Sequence, residues 1–203
     1  MPKQDDYFSK ILADSQGKRA TRDFNMKSLN WFRRKVKNIA GNKPISSSKI
    51  ISQKKSSSTG KILVGRMYHY LYDPKTKNKL PYYDRFPLVF PIEYYDDGFL
   101  GLNMHYLSPK LRARLMDKLY ATSSNSKLNE NTRLRANYKL LVNATKYRLF
   151  QPTLKRYLFT HVKSRFIEIP PEEWQIALFL PTERFVKKDK KFVWNQSKKM
   201  RWS

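Results

Sequence analysis

The sequence predicts an α+β fold: a small, curved antiparallel sheet or SH3-like barrel, packed with several helices and carrying basic N- and C-terminal arms. Three observations lead there. Short runs of strand-forming residues separated by turns fill residues 61–104, helix-start signals and helical periodicities follow from Ser108 onward, and basic charge is densest at the two ends. With 203 residues, 40% of them hydrophobic and 14% aromatic, the chain has enough apolar surface to offset chain entropy over part of its length. The organisation expected is an N-terminal arm with an amphipathic helix (1–41), a Lys/Ser-rich flexible linker (42–60), a folded body (61–185) and a basic, aromatic tail (186–203).

In the N-terminal arm, Asp23 is placed to cap a helix from Phe24 to Ala40, where Leu29, Phe32 and Val36 recur three and four residues apart. Lys27, Arg33, Arg34, Lys35 and Lys37 surround that stripe, and Gly41 supplies a stop. Such a face either lies along phosphates or is simply solvated. Between Asn42 and Gly60, Ser46-Ser47-Ser48 and Ser56-Ser57-Ser58 flank Lys49, Lys54 and Lys55, a composition with little to bury.

The body opens with Lys61 to Tyr72, whose aliphatic and aromatic residues suit a strand. A turn follows at Asp73-Pro74. The next extended region, Phe86 to Ile92, contains Pro87 and Pro91 and is expected at a sheet edge or bend, since proline cannot donate to a ladder. Asp96-Asp97-Gly98 turns the chain into a third strand, Phe99 to Met104.

Ser108-Pro109 marks a helix start, with a hydroxyl at the N-cap and proline where its missing N–H is not needed. That helix is expected to run to Tyr120, burying Leu111, Leu115 and Leu119 and presenting Lys110, Arg114 and Lys118 on another face. After a polar loop, Leu134, Tyr138, Leu141 and Val142 predict a second helix. Leu154, Tyr157, Leu158 and Val162 predict a third, beginning beyond Pro152. Arg165 to Ile169 alternates and is expected to return to the sheet, and Pro170-Pro171-Glu172-Glu173 opens a further helix.

The net charge is +26, from 42 Lys+Arg against 16 Asp+Glu. It divides as +10 over residues 1–60, +9 over 61–183 and +7 over 184–203, so the ends are more basic per residue than the middle. Charge of one sign at this density repels itself unless a polyanion neutralises it, and nucleic acid is the expected partner. The absence of cysteine excludes disulfides, cysteine nucleophiles and thiolate metal sites. No signal-peptide run and no stretch long enough to span a bilayer is present, so a soluble, non-membrane protein is expected.

Catalytic chemistry finds no starting set. His69, His105 and His161 lack metal-ligand spacing, although His69 and His105 are expected to be neighbours if their strands pair. Asp84, Glu93, Asp96 and Asp97 are the one dense acidic group, and a metal-dependent nuclease would need several of them to converge. Phosphate loops and nucleophile elbows are missing. No enzyme activity, cofactor, metal site or small-molecule substrate is expected.

What remains is cations interleaved with aromatics, in Trp31-Phe32-Arg33-Arg34-Lys35, Lys155-Arg156-Tyr157 and Lys191-Phe192-Val193-Trp194. Cations of this kind neutralise phosphates without reading bases, while an exposed ring stacks on an unpaired base. The candidate phosphate-binding residues are Lys27, Arg33, Arg34, Lys35, Lys37, Lys54, Lys55, Lys110, Arg114, Lys118, Lys187, Lys188, Lys190, Lys191, Lys198, Lys199 and Arg201. Trp194 and Trp202 are candidates for stacking, or else for the core.

Three segments also form a pattern: Tyr72-Asp73-Pro74-Lys75-Thr76-Lys77, Leu80-Pro81-Tyr82-Tyr83-Asp84-Arg85-Phe86-Pro87, and Gly98-Phe99-Leu100-Gly101-Leu102-Asn103-Met104-His105-Tyr106-Leu107. Together with Lys163 to Ile167 and Leu180 to Glu183, this resembles the small virion-associated proteins of T-even-like myoviruses over residues 61–185. The resemblance implies a virion protein assembled in the host cytoplasm. Two roles fit: a DNA end protector seated on the packaged duplex, or a neck, tail or baseplate component whose arms bind other phage subunits, with a ring-like oligomer in the particle.

Overall fold

The structure is a computed structural model that describes residues 7–14, 25–28, 30, 62–175 and 185–199. Its elements in chain order are α1 (Tyr7–Asp14), β1 (Met67–His69), β2 (Tyr83–Asp84), β3 (Leu88–Tyr95), β4 (Gly98–Asn103), α2 (Pro109–Ser123), α3 (Glu130–Thr145), β5 (Leu154–Leu158), β6 (Ile167–Ile169), β7 (Phe185–Val186) and α4 (Lys190–Lys199). Residues 25–28 and 30 are also helical, and the rest of the helix expected over Phe24–Ala40 lies outside the described residues.

The α+β class holds. Five antiparallel strands form one sheet in the order β5-β4-β3-β1-β6, and β2 pairs with β7 in a separate ribbon. The sheet is open, so barrel closure is corrected: β5 and β6 are edges, and β1 and β6 offer only three residues each. Closure is replaced by cover on both faces. Met67, Leu88, Phe90 and Leu102 point to a core shared with α1, α2 and α3, whereas Tyr68, Val89, Phe99 and Tyr157 point to an aromatic cluster with Tyr70 and Tyr72. The period of two along β1, β3 and β4 sorts residues between these clusters.

Two strands depart from expectation. The proline-bearing strand β3 is central, with β4 on one side and β1 on the other. It tolerates Pro91 because the register with β4 shifts between Pro91 and Glu93, and because β1 pairs only with Leu88 and Val89. Past that point Gly65 N–H donates to the Pro91 carbonyl, and Gly65 does so at φ +84°, a conformation glycine adopts freely. The segment expected to be a third helix beyond Pro152 is strand β5, paired with β4 from Gly98 to Leu102. Glycine makes that docking possible: a Cβ on Gly98 would lie 1.9 Å from the Tyr157 carbonyl oxygen.

The other expectations are met in outline. The first expected strand is shorter than its apolar run: Met67–His69 forms the strand, and Tyr72 adds an isolated antiparallel bridge to Val162. Helix α2 extends three residues past Tyr120; Leu115 and Leu119 are buried and Leu111 is half-buried. Residues 171–173 form one 3-10 turn and residues 174–175 are helical, while the rest of the helix expected there lies outside the described residues; Trp174 is buried edge-to-face on Phe90 and donates to the Ile169 carbonyl at 3.0 Å.

Elements at both ends pack onto the body. Phe8 of α1 is buried against Tyr120, and its helix is capped from a distance: the Asp117 carboxylate on α2 accepts Phe8 N–H at 2.5 Å, Ser9 N–H at 3.2 Å and the Ser9 hydroxyl at 2.6 Å. At the other end, Phe185 packs edge-to-face on Tyr106, Val193 is fully buried, and Trp194 Nε1 donates to the His105 carbonyl at 2.8 Å.

Candidate nucleic-acid interface

Helix α2 carries its cations along one outer stripe. Arg112, Ala113, Leu115, Met116, Asp117 and Leu119 are buried, and Lys110, Arg114 and Lys118, four residues apart, are exposed on the opposite side. Arg112 is the exception among the basic residues: fully buried, it donates to the Met104 and Leu107 carbonyls and holds the chain that enters α2. Helix α4 contributes Lys190, Lys191, Lys198 and Lys199, all exposed.

These two helices meet. A narrow cleft between them is lined by Ser108 and Leu111 at the start of α2 and by Trp194, Ser197 and Lys198 of α4. Leu149, in the turn after α3, lines the same cleft, with exposed Lys146 and Arg148 just before it. Those two cations escaped the sequence analysis; the Lys146-Tyr147-Arg148 triplet, with Tyr147 66% exposed, is the signal that identifies them.

Other candidate cations have local tasks. Lys187, at φ +74°, donates its ammonium to the carbonyls of Lys77, Asn78 and Leu80 at 3.0, 3.1 and 2.7 Å, which uses all three of its donors. The Lys188 ammonium lies 4.8 Å from the Phe192 ring centre and that of Lys190 5.7 Å from the Trp194 ring centre. Trp194 is half-buried and tethered through its N–H, so the ring anchors α4 to the body. Lys27 is exposed on the helical residues 25–28. Arg33, Arg34, Lys35, Lys37, Lys54, Lys55, Arg201 and Trp202 lie outside the described residues.

The acidic group does not converge. Asp84 is buried beside Asn103 at one end of the β3–β4 pair, while Glu93, Asp96 and Asp97 are exposed at the other, where Asp97 pairs with Arg156 and Glu93 accepts from the Tyr95 hydroxyl. Among the described residues no three His, Asp or Glu side chains stand close enough to hold a metal ion. All three histidines have structural partners: His69 Nδ1 donates to the Pro87 carbonyl at 2.9 Å, His161 Nδ1 to that of Asp73 at 2.7 Å, and His105 Nδ1 lies 2.7 Å from Asp84 Oδ2. His69 and His105 are neighbours, with ring centres 6.0 Å apart, although their strands do not pair directly.

Burial tunes the groups behind the interface. Lys155 lies 4.4 Å above the Tyr106 ring, and desolvation holds its ammonium below its ordinary 10.5. Desolvation pushes the phenols of Tyr70, Tyr106 and Tyr157 well above their ordinary 10.0, so they remain neutral. No helix among the described residues is long and apolar enough to cross a membrane.

Fold and surface define a small basic α+β protein whose outer helices present lysine and arginine around a closed, aromatic-rich body. Residues 3–201 match the family described as the phage T4 terminal DNA protecting protein, and the chain belongs to that family. No curated protein and no solved structure matches it.

Proposed function

We propose that this is a non-enzymatic bacteriophage virion protein that binds packaged DNA, or its end, through basic surfaces and without sequence specificity. The observation that carries this reading is that exposed Lys110, Arg114 and Lys118 share one side of α2, while α4, with exposed Lys191, Lys198 and Lys199, lines a cleft together with the start of α2. Family membership supports it, because the family is described by the protection of terminal DNA. Charges on two rigid helices meet phosphates at fixed positions but present no base-reading element, which favours affinity over sequence discrimination.

The test is equilibrium binding of the full chain to short blunt duplexes across a salt series, with exonuclease digestion of the same duplexes as a second readout. Affinity is expected to fall steeply with salt, to be indifferent to sequence, and to be accompanied by protection of the ends. The triple variant Lys110→Glu, Arg114→Glu and Lys118→Glu is expected to lose most of both. Native protein that retains no duplex at low salt would overturn the reading and favour basic surfaces that bind other virion subunits.

A further inference from the structure

The cleft between α2 and α4 holds an unmet donor. Ser197 is 7% exposed and lines the cleft, and its Oγ, itself buried, finds no hydrogen-bond partner among the described residues. A buried hydroxyl left unpaired is costly, so a group that satisfies it on binding gains more than an ordinary surface contact does.

Opposite it stands the N-terminus of α2. The first helical residue is Pro109, the first intrahelical bond is from Arg112 N–H to the Ser108 carbonyl, and the Ser108 side chain caps nothing. Helix geometry therefore leaves the N–H groups of Lys110 and Leu111 without an intrahelical acceptor, at the end where the helix carries about half a positive charge. The last turn of α4 brings roughly half a negative charge to the same place. Lys198 and Lys199 in that turn supply two full positive charges and outweigh it.

We infer that this cleft is a phosphate-binding site for the backbone of duplex DNA, with Ser197 Oγ, the Leu111 N–H and the Lys198 ammonium as its donors. The inference rests on the DNA-binding reading above and assigns that reading a specific contact. The donors are of the kind that phosphate oxygens accept, and no negatively charged side chain lines the cleft. The space is about that of one water, which suits a single non-bridging oxygen of a diester whose remaining atoms stay in solvent. Leu111 and Trp194 form an apolar wall that lowers the local dielectric and strengthens the contact.

The experiment compares the full native chain with Ser197→Ala, Ser197→Thr and Lys198→Gln. Each is titrated with a linear duplex bearing 5′-hydroxyl ends, the same duplex bearing 5′-phosphates, and a covalently closed circle, and thermal melts run alongside. Ser197→Ala is expected to weaken binding roughly ten-fold on all three DNAs, about one charge-assisted hydrogen bond. Its melting temperature is expected to stay level or rise, because an unpaired buried hydroxyl has been removed. That split separates a ligand contact from a structural role. Ser197→Thr keeps the hydroxyl and is expected to keep affinity. Lys198→Gln, on an exposed side chain, is expected to reduce the slope of log affinity against log salt by about 0.9. Native binding with Ser197→Ala and Lys198→Gln both unchanged would overturn the site alone. A loss confined to 5′-phosphorylated ends would also overturn it, by moving the contact from backbone to terminal phosphate. Absence of binding by the native chain would overturn the functional reading together with the site.

Discussion

Asp84 Oδ2 lies 2.7 Å from His105 Nδ1 and 3.0 Å from Asn103 Nδ2, so one buried carboxylate oxygen joins the ribbon strand β2 to the end of β4. The other Asp84 oxygen accepts Phe86 N–H at 3.0 Å, and Asn103 reaches on to the Tyr157 hydroxyl at 3.1 Å. The His105 carbonyl then holds Trp194, so the network supports the docking of α4. Asp84→Ala is expected to destabilise the fold by about 3 kcal/mol, since it leaves several buried donors unmet. Urea unfolding should show the midpoint fall with the slope unchanged; a midpoint equal to the native one would show that the network contributes nothing.

Asp117 caps a helix that is 108 residues away in sequence from the donor it serves at Ser9. Asp117→Ala removes acceptors from two backbone N–H groups and one hydroxyl at the N-terminus of α1, at an expected cost of about 2 kcal/mol. The effect should be local as well as global. Limited proteolysis is expected to cut near residues 7–14 in the variant before it cuts the body, and an unaltered digestion pattern would refute the assignment.

Gly98 and Gly101 meet different obstacles. A Cβ at Gly98 would lie 1.9 Å from a backbone oxygen of β5, and one at Gly101 would lie 2.3 Å from the Val89 side chain and 3.0 Å from the Phe90 oxygen. Backbone in a paired strand yields less readily than a side chain. Gly98→Ala is therefore expected to cost upwards of about 2 kcal/mol and to exceed Gly101→Ala in thermal unfolding. The reverse order would mean that β5 is the softer element.

The buried phenols predict sensitivity to alkali. Tyr70, Tyr106 and Tyr157 have folded-state values above their ordinary 10.0, so the unfolded chain releases these protons first. Their contribution to stability is complete below pH 10.0 and is lost as pH rises above it. Lys155, lowered by burial, acts in the opposite sense, but it is one group against three. Urea midpoints are expected to decline from about pH 10 upward, together with tyrosine ionisation followed by absorbance. A flat midpoint through that range would contradict the burial of these rings.

The sequence was most legible where a local rule had no tertiary competitor. Ser108-Pro109 starts a helix, Asp96-Asp97-Gly98 precedes a strand, and alternation through Arg165 to Ile169 returns a strand to the sheet. It was least legible where pairing overrode spacing. Leu154, Tyr157 and Leu158 are spaced as on a helix, yet their backbone pairs with β4, because Gly98 lets β5 approach closely. Helix α1 went unpredicted because its cap is supplied by a residue more than a hundred positions away. Among candidate cations, exposure followed from helical phase for Lys110, Arg114 and Lys118. The three carbonyl acceptors of Lys187 depend on a loop distant in sequence.

By itself the sequence determined the α+β class and the excess of positive charge, because composition and short-range periodicity are properties of the chain. The tertiary structure decided which strand is central, that the sheet stays open, and which lysines stand beside a cleft rather than serving the fold. Those outcomes depend on contacts between residues far apart in sequence. Ser197 shows the difference: in the sequence it is an ordinary serine in a basic run, and only the docking of α4 onto the body buries it in a cleft that the start of α2 also lines.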